Sequence, residues 1–227
     1  RLRADCHGLD LNRVTLRFAN AQTEQSFAKL RMERVNTGLQ VLGLVILLMG
    51  GVTFASRDLR AEDWDDPAVF KAAQQCQFFD GLIAIWGCMM FLFAKLQQRW
   101  LFLSPMCIEV VAVPAFIVLH FLCFMTDVYF VARLADVEDP FEGRGLAGKS
   151  RNDAWWVIVC IGLVSITHNL VPIRWAVVSI LEPVAVLFYA VPTFLLGNGG
   201  WAILGTLACL VVMSGYGCRE LELQERQ

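Results

Sequence analysis

From Val35 to Ser56 the chain carries no charged side chain. A helix needs about 20 such residues to cross the ~30 Å hydrocarbon layer of a bilayer. Lipid offers no partner for exposed backbone N–H and C=O groups, so a spanning segment of this kind must be helical. The feature recurs along the chain. Hydrophobic residues make up 57% of the 227 positions and charged ones 18%, where a soluble domain carries about a quarter charged. The charges cluster at the start, in two loops and at the end, and long uncharged runs separate them. A water-soluble enzyme is excluded on this ground.

Six spans are predicted. Span one is Val35–Ser56, and the acidic loop Arg57–Lys71 follows. Span two is Ala72–Ala94, with Asp80 near its start, and a tight basic turn over Lys95–Arg99 ends it. Span three covers Trp100–Ala132, with Pro105 at the helix start and Pro114 at a kink. A second acidic loop, Arg133–Asp153, leads to span four, Ala154–Ile173, which opens on the interfacial pair Trp155-Trp156. Span five is Trp175–Leu196 and contains Glu182-Pro183. Gly197-Asn198-Gly199-Gly200 forms a turn, and span six is Trp201–Cys218. The fold class is therefore an all-α polytopic bundle of six transmembrane helices.

An even number of spans puts both termini on one side. With that side cytoplasmic, the inner segments hold twelve of the 19 Lys and Arg residues and the outer segments seven. The positive-inside rule favours this orientation. Residues 1–36 then form a cytoplasmic juxtamembrane segment, residues 37–218 the membrane domain and residues 219–227 the start of a cytoplasmic linker helix. Ala21–Val35 suits an amphipathic helix, with Phe27 and Leu30 on one side and Lys29 and Arg31 off it. No signal peptide is expected, because Arg1 to Asn36 lacks an apolar core. The chain opens on Arg1 rather than Met, as a processed product or part of a longer one would.

Span three carries the most chemistry. Glu109 and Asp127 lie 18 positions apart, five helical turns, and His120 falls about 20° from the same line. On one helix, Glu109, His120 and Asp127 share a face. A mid-membrane carboxylate costs about 3 kcal/mol on insertion scales, so such a face points into the bundle. Two readings stay open. One is a proton or ion path, or a polar ligand cleft; the other is interhelical hydrogen bonding. Asp80 and Glu182 are possible partners across the bundle. His168, Asn169, Pro172 and Arg174 form a turn at the cytoplasmic edge, either a switch or headgroup contact or a plain polar turn.

No phosphate-binding loop, dinucleotide fingerprint, metalloprotease motif or nucleophile elbow occurs. The histidines His7, His120 and His168 are too dispersed to propose a zinc or haem site, and no cofactor or metal is expected. No C-x-x-C pair occurs among the eight cysteines, most of which fall in apolar runs, so no disulfide framework is implied. No nucleic-acid partner is expected.

Three stretches together carry a resemblance. Leu16-Arg17-Phe18, Glu24, Phe27 and the basic run Lys29–Arg34 precede span one. His168-Asn169-Leu170-Val171-Pro172-Ile173-Arg174-Trp175 joins spans four and five. Gly215-Tyr216-Gly217-Cys218-Arg219-Glu220 leaves span six. This arrangement resembles the six-helix membrane region that precedes the catalytic domain in many protist and algal class III adenylyl and guanylyl cyclases. Those proteins carry an F-x(5)-E-x-x-F-like stretch and an H-x-x-x-P-x-R connection at the same places. The likeness covers most of the chain by architecture and about 25 residues by motif.

The resemblance implies a membrane-anchoring, receptor-like regulator that dimerises and signals through its last helix, from Arg219 and Glu220 onward, to a cyclic-nucleotide-forming output domain beyond Gln227. No cyclase catalytic residue falls within this chain. The lipid bilayer is the expected partner, with a homo-oligomer or a larger membrane complex, and a lipid or small hydrophobic ligand in the outer half as a candidate. Two rival functions are a channel or transporter subunit using the Glu109–His120–Asp127 face, and a structural subunit of a large membrane assembly.

Overall fold

The computed structural model describes residues 20–57, 67–100, 103–137, 179–195 and 201–226, with Leu16 and Gly162 besides. Six helices run through them: α1 (Ala21–Ser56), α2 (Pro67–Trp100), α3 (Pro105–Phe124), α4 (Val128–Leu134), α5 (Leu181–Leu195) and α6 (Trp201–Glu225). The protein is all-α. Two of these helices, α1 and α2, are long and apolar enough to cross a membrane, and α3 with α4 makes a third if that bent pair is one span. Predicted span four apart from Gly162, and the turn residues His168, Asn169, Pro172 and Arg174, lie outside the described residues, as do residues 175–178 of predicted span five.

Helix α1 starts where Asn20 caps it, its side-chain oxygen accepting from the N–H groups of Gln22 (2.8 Å) and Thr23 (3.4 Å). It then runs without a break from the polar segment into the apolar one. The hydroxyls of Thr37 and Thr53 donate to carbonyls one turn back, Glu33 and Met49, so neither is left unmatched. Leu44, Leu48, Met49 and Val52 on α1 and Phe78, Ile85, Met89 and Leu92 on α2 are exposed. An apolar exterior on this scale fits contact with lipid.

The α1–α2 pair is antiparallel and close because glycine lines the seam. A Cβ on Gly43 would sit 2.7 Å from the Phe91 nitrogen and 2.8 Å from the Gly87 carbonyl oxygen. One on Gly50 would sit 2.6 Å from the Ala84 nitrogen. Small residues let backbones approach where lipid gives no hydrophobic push between helices. Leu39, Leu42, Ile46, Ile83 and Met90 pack beside this seam, joined by Ile108, Ala112, Phe116 and Leu119 of α3. A second core gathers Cys76, Phe124, Phe130 and Val131 with Ala185 and Tyr189 of α5 and Leu207 and Val211 of α6.

Helix α2 begins at Pro67, inside the predicted acidic loop, and α5 begins at Leu181 after a turn at 179–180, inside predicted span five. Two further boundaries differ from the sequence expectation. Lys95–Arg99 is not a turn but the end of α2, and the chain reverses after Trp100. Gln97 explains the shift. Its fully buried amide donates to the Leu103 carbonyl (2.9 Å) and accepts from the Leu103 N–H (3.1 Å), so the reversal folds over the helix end. Ser104 and Pro105 then open α3 at the predicted place.

The second difference divides predicted span three. Helix α3 continues through Pro114 but stops at Phe124, and α4 departs at 85°. Thr126 donates to the Cys123 carbonyl (2.7 Å). The Asp127 carboxylate accepts from the N–H groups of Tyr129 (2.8 Å) and Phe130 (3.3 Å). These local bonds replace those that a continuing helix would make.

Candidate functional site

The largest set of buried charges in the described residues joins the two ends of the helical chain. Glu24, Phe27 and Arg31 lie one and two turns apart on one face of α1. Glu222 lies on α6 and Arg226 one turn further, just past the last helical residue Glu225. Arg226 donates through Nη1 to Glu24 Oε2 (2.7 Å) and through Nη2 to Glu24 Oε1 (3.3 Å). The same guanidinium reaches Glu222 Oε1 through Nη2 (2.8 Å) and Nε (3.0 Å). Arg31 approaches Glu222 (3.4 Å) and Glu225 (3.4 Å), and Arg34 reaches Glu225 at 3.3 Å from the exposed side. The Phe27 ring lies under both guanidinium groups, 4.2 Å from Arg226 and 5.3 Å from Arg31.

Three arginines therefore face three glutamates, and the side chains of Arg226 and Glu222 are almost wholly buried. Burial alone disfavours the charged form of Arg226. The Glu24 and Glu222 hydrogen bonds and charges outweigh it, so its pKa is raised above the ordinary arginine value. The acids and bases here are spent on each other, and the arrangement is suited to holding two helices rather than to proton transfer or nucleophilic attack.

This placement corrects the amphipathic reading of Ala21–Val35. Leu30 points outward at 76% exposure, whereas Arg31 is buried at 7%. The charged face is the packed one because α6 brings Glu222 and Glu225 to it. Arg219 and Glu220, which the sequence marks as the output helix, do lie on α6, where they pair with each other (2.9 Å). Glu222, Glu225 and Arg226, a turn further on, make the contact with α1. The i, i+4 spacing of Glu222 and Arg226 was the available signal.

The polar stripe of span three is not one helical face. Asp127 caps α4 beyond the end of α3, off the line through His120. His120 is buried on α3. Its Nδ1–H donates to the Phe116 carbonyl (2.8 Å), and its ring stacks on Phe188 of α5 at 6.1 Å. Glu109 sits in the first turns of α3, and its side chain lies outside the described residues. Asp80 pairs with Arg57, which the sequence places in the first acidic loop. The Arg57 Nε donates to Asp80 (2.9 Å), and its Nη2 donates to the Thr126 carbonyl (3.1 Å). One guanidinium thus staples the end of α1 to α2 and to the α3–α4 break.

Glu182, at the start of α5, lies against the bare α-carbon of Gly215 on α6, where any Cβ would overlap its carboxylate. Gly215, Cys218 and Glu222 follow one inward face of α6, so this contact lies directly below the clamp. Among the described residues, no group of three or more His, Cys, Asp or Glu is placed to hold a metal ion.

Fold and site define a class: a helical protein with two to three helices fit to cross a membrane, whose long first and last helices are clamped by buried charge. No protein-family model matches the chain, and no curated protein or solved structure matches it significantly.

Proposed function

We propose that the chain is a six-span membrane module with both ends in the cytoplasm, which regulates a cytoplasmic output domain through its last helix. The observation that carries this reading is the clamp between Glu24 and Arg31 on α1 and Glu222 and Arg226 at the end of α6. Helix α6 runs unbroken from Trp201 through Cys218 to Glu225, so a shift or rotation within the membrane reaches the charged end without a hinge. The clamp gives that end a defined position. Breaking it would release α6 from α1, a second arrangement that a ligand with unequal affinity for the two states could favour.

The likeness to class III nucleotide cyclases supplies the class of output, and pairing of two copies follows because cyclase active sites form between two catalytic domains. The test is nucleotide cyclase activity of the full-length gene product in membranes, with ATP and with GTP and a divalent metal. It is measured for the unaltered protein and for one with Gly-Gly inserted after Cys218. Cyclic nucleotide formation that changes on insertion supports both parts of the reading. Formation unaffected by the insertion refutes transmission through α6, and no formation by a correctly inserted protein refutes the cyclase reading.

A further inference from the structure

An apolar cavity of about 230 Å³ opens where α1, α2 and α3 meet, in the half of the bundle nearer Lys95–Arg99. Leu39, Trp86, Met90, Phe93, Ala112 and Ala115 line it. Trp86 is the wall residue with a polar group, and its Nε1–H is buried with no acceptor among the described residues. Buried indole N–H groups are nearly always bonded, so one left over calls for a missing partner.

Water is a poor candidate. A buried water needs two to four polar partners, and apolar cavities stay dry. A phospholipid is no better. Trp86 lies eight residues before the end of predicted span two, about 12 Å below it at 1.5 Å per residue. The ester oxygens of a lipid sit at the interface, so only hydrocarbon reaches this depth. Size narrows the occupant further. An engineered apolar cavity of roughly 150 Å³ accepts benzene, so this one has room for a compact two- or three-ring skeleton. The soft side chains of Met89 and Met90 adapt to such a shape.

We infer that this cavity is a binding site for a compact apolar small molecule carrying one carbonyl or hydroxyl oxygen, which accepts the Trp86 Nε1–H. This site lies nearer the end opposite the outer half, where the sequence reading places a candidate ligand. The inference stands apart from the clamp, since none of the cavity residues belongs to it.

Adamantanone and adamantane make the test, because they share a skeleton and differ in the acceptor. The full chain is labelled with ¹⁵N in its seven tryptophan indoles and placed in phosphatidylcholine nanodiscs. The Trp86 signal is assigned as the one missing in Trp86→Phe. Adamantanone should move that signal saturably and bind roughly three- to tenfold tighter than adamantane, the worth of one neutral hydrogen bond. Ala115→Phe, which fills the cavity from a half-buried position, should abolish the shift while the other indole signals stay in place. In Trp86→Phe, the ketone's advantage over the hydrocarbon should vanish. The proposal is overturned if the Trp86 signal ignores the ketone, or if its shift grows with total lipid partitioning without saturating. It is equally overturned if the shift survives in a folded Ala115→Phe protein.

Discussion

Arg226 holds Glu24 by two hydrogen bonds, 2.7 and 3.3 Å, across 202 residues of sequence, with the Phe27 ring packed beneath the guanidinium. A buried pair of this kind adds modest net stability, because desolvation cancels much of its attraction. Removing one partner is different, since it strands a charge. Glu24→Ala should therefore lower stability by about 3 kcal/mol, and adding Arg226→Ala should recover part of that loss. Thermal unfolding of the four proteins of this cycle in detergent measures the coupling. Additive losses would mean that the two side chains act independently.

Arg34 meets Glu225 at 3.3 Å with most of its side chain in solvent. Arg34→Ala should cost about 0.5 kcal/mol or less, and raising salt to about 1 M should erase even that. The buried part of the clamp should persist in the same salt. Spin labels on the exposed residues Leu30 and Leu221 would report the α1–α6 distance directly. Alkaline titration should not open the clamp from the arginine side. A raised arginine pKa keeps its contribution complete below the ordinary value and loses it only as pH climbs through the raised one, well above pH about 10.

Gly215→Ala should destabilise the α5–α6 contact by about 1 kcal/mol or less, because the group its Cβ would overlap is the carboxylate end of the flexible Glu182 side chain, which can turn aside. The loss should largely disappear in Gly215→Ala with Glu182→Ala, which empties the disputed space. Unfolding midpoints of the single and double variants decide it; a loss unrelieved by the second change would locate the strain elsewhere.

Neighbouring glycines of α1 should behave oppositely. Gly50→Ala forces a methyl against the Ala84 backbone and should separate α1 from α2, at a cost of about 1–3 kcal/mol. Gly51 faces open space, so Gly51→Ala should gain about 0.5–1 kcal/mol from helix propensity. A stability comparison in one detergent gives both signs.

Asp127→Ala removes the cap of α4 and should cost about 1 kcal/mol. Asp127→Asn keeps an acceptor oxygen and should cost little. If the aspartate served ion flux instead, the Asn variant would lose flux in liposomes while keeping stability, which separates the two roles.

Much of the helical layout was legible from residues alone. The uncharged runs located the cores of α1 and α2, the two helices long and apolar enough to cross a membrane, since such a helix must be apolar over a bilayer's thickness. Ser104-Pro105 marked the start of α3 because its cap and missing N–H act within one turn. Those are local requirements, and they are written in consecutive residues.

Other features depend on what meets what. The end of α3 at Phe124 looked like mid-span sequence, because Thr126 and Asp127 break a helix only when their side chains bond the nearby backbone in place of other partners. Arg31 and Leu30 exchange the faces that hydropathy assigns them, since the glutamates whose charge offsets that of Arg31 arrive from α6. A sequence states which groups must be satisfied or buried; which distant group satisfies them is decided by packing, where a buried charge is tolerable only beside its opposite.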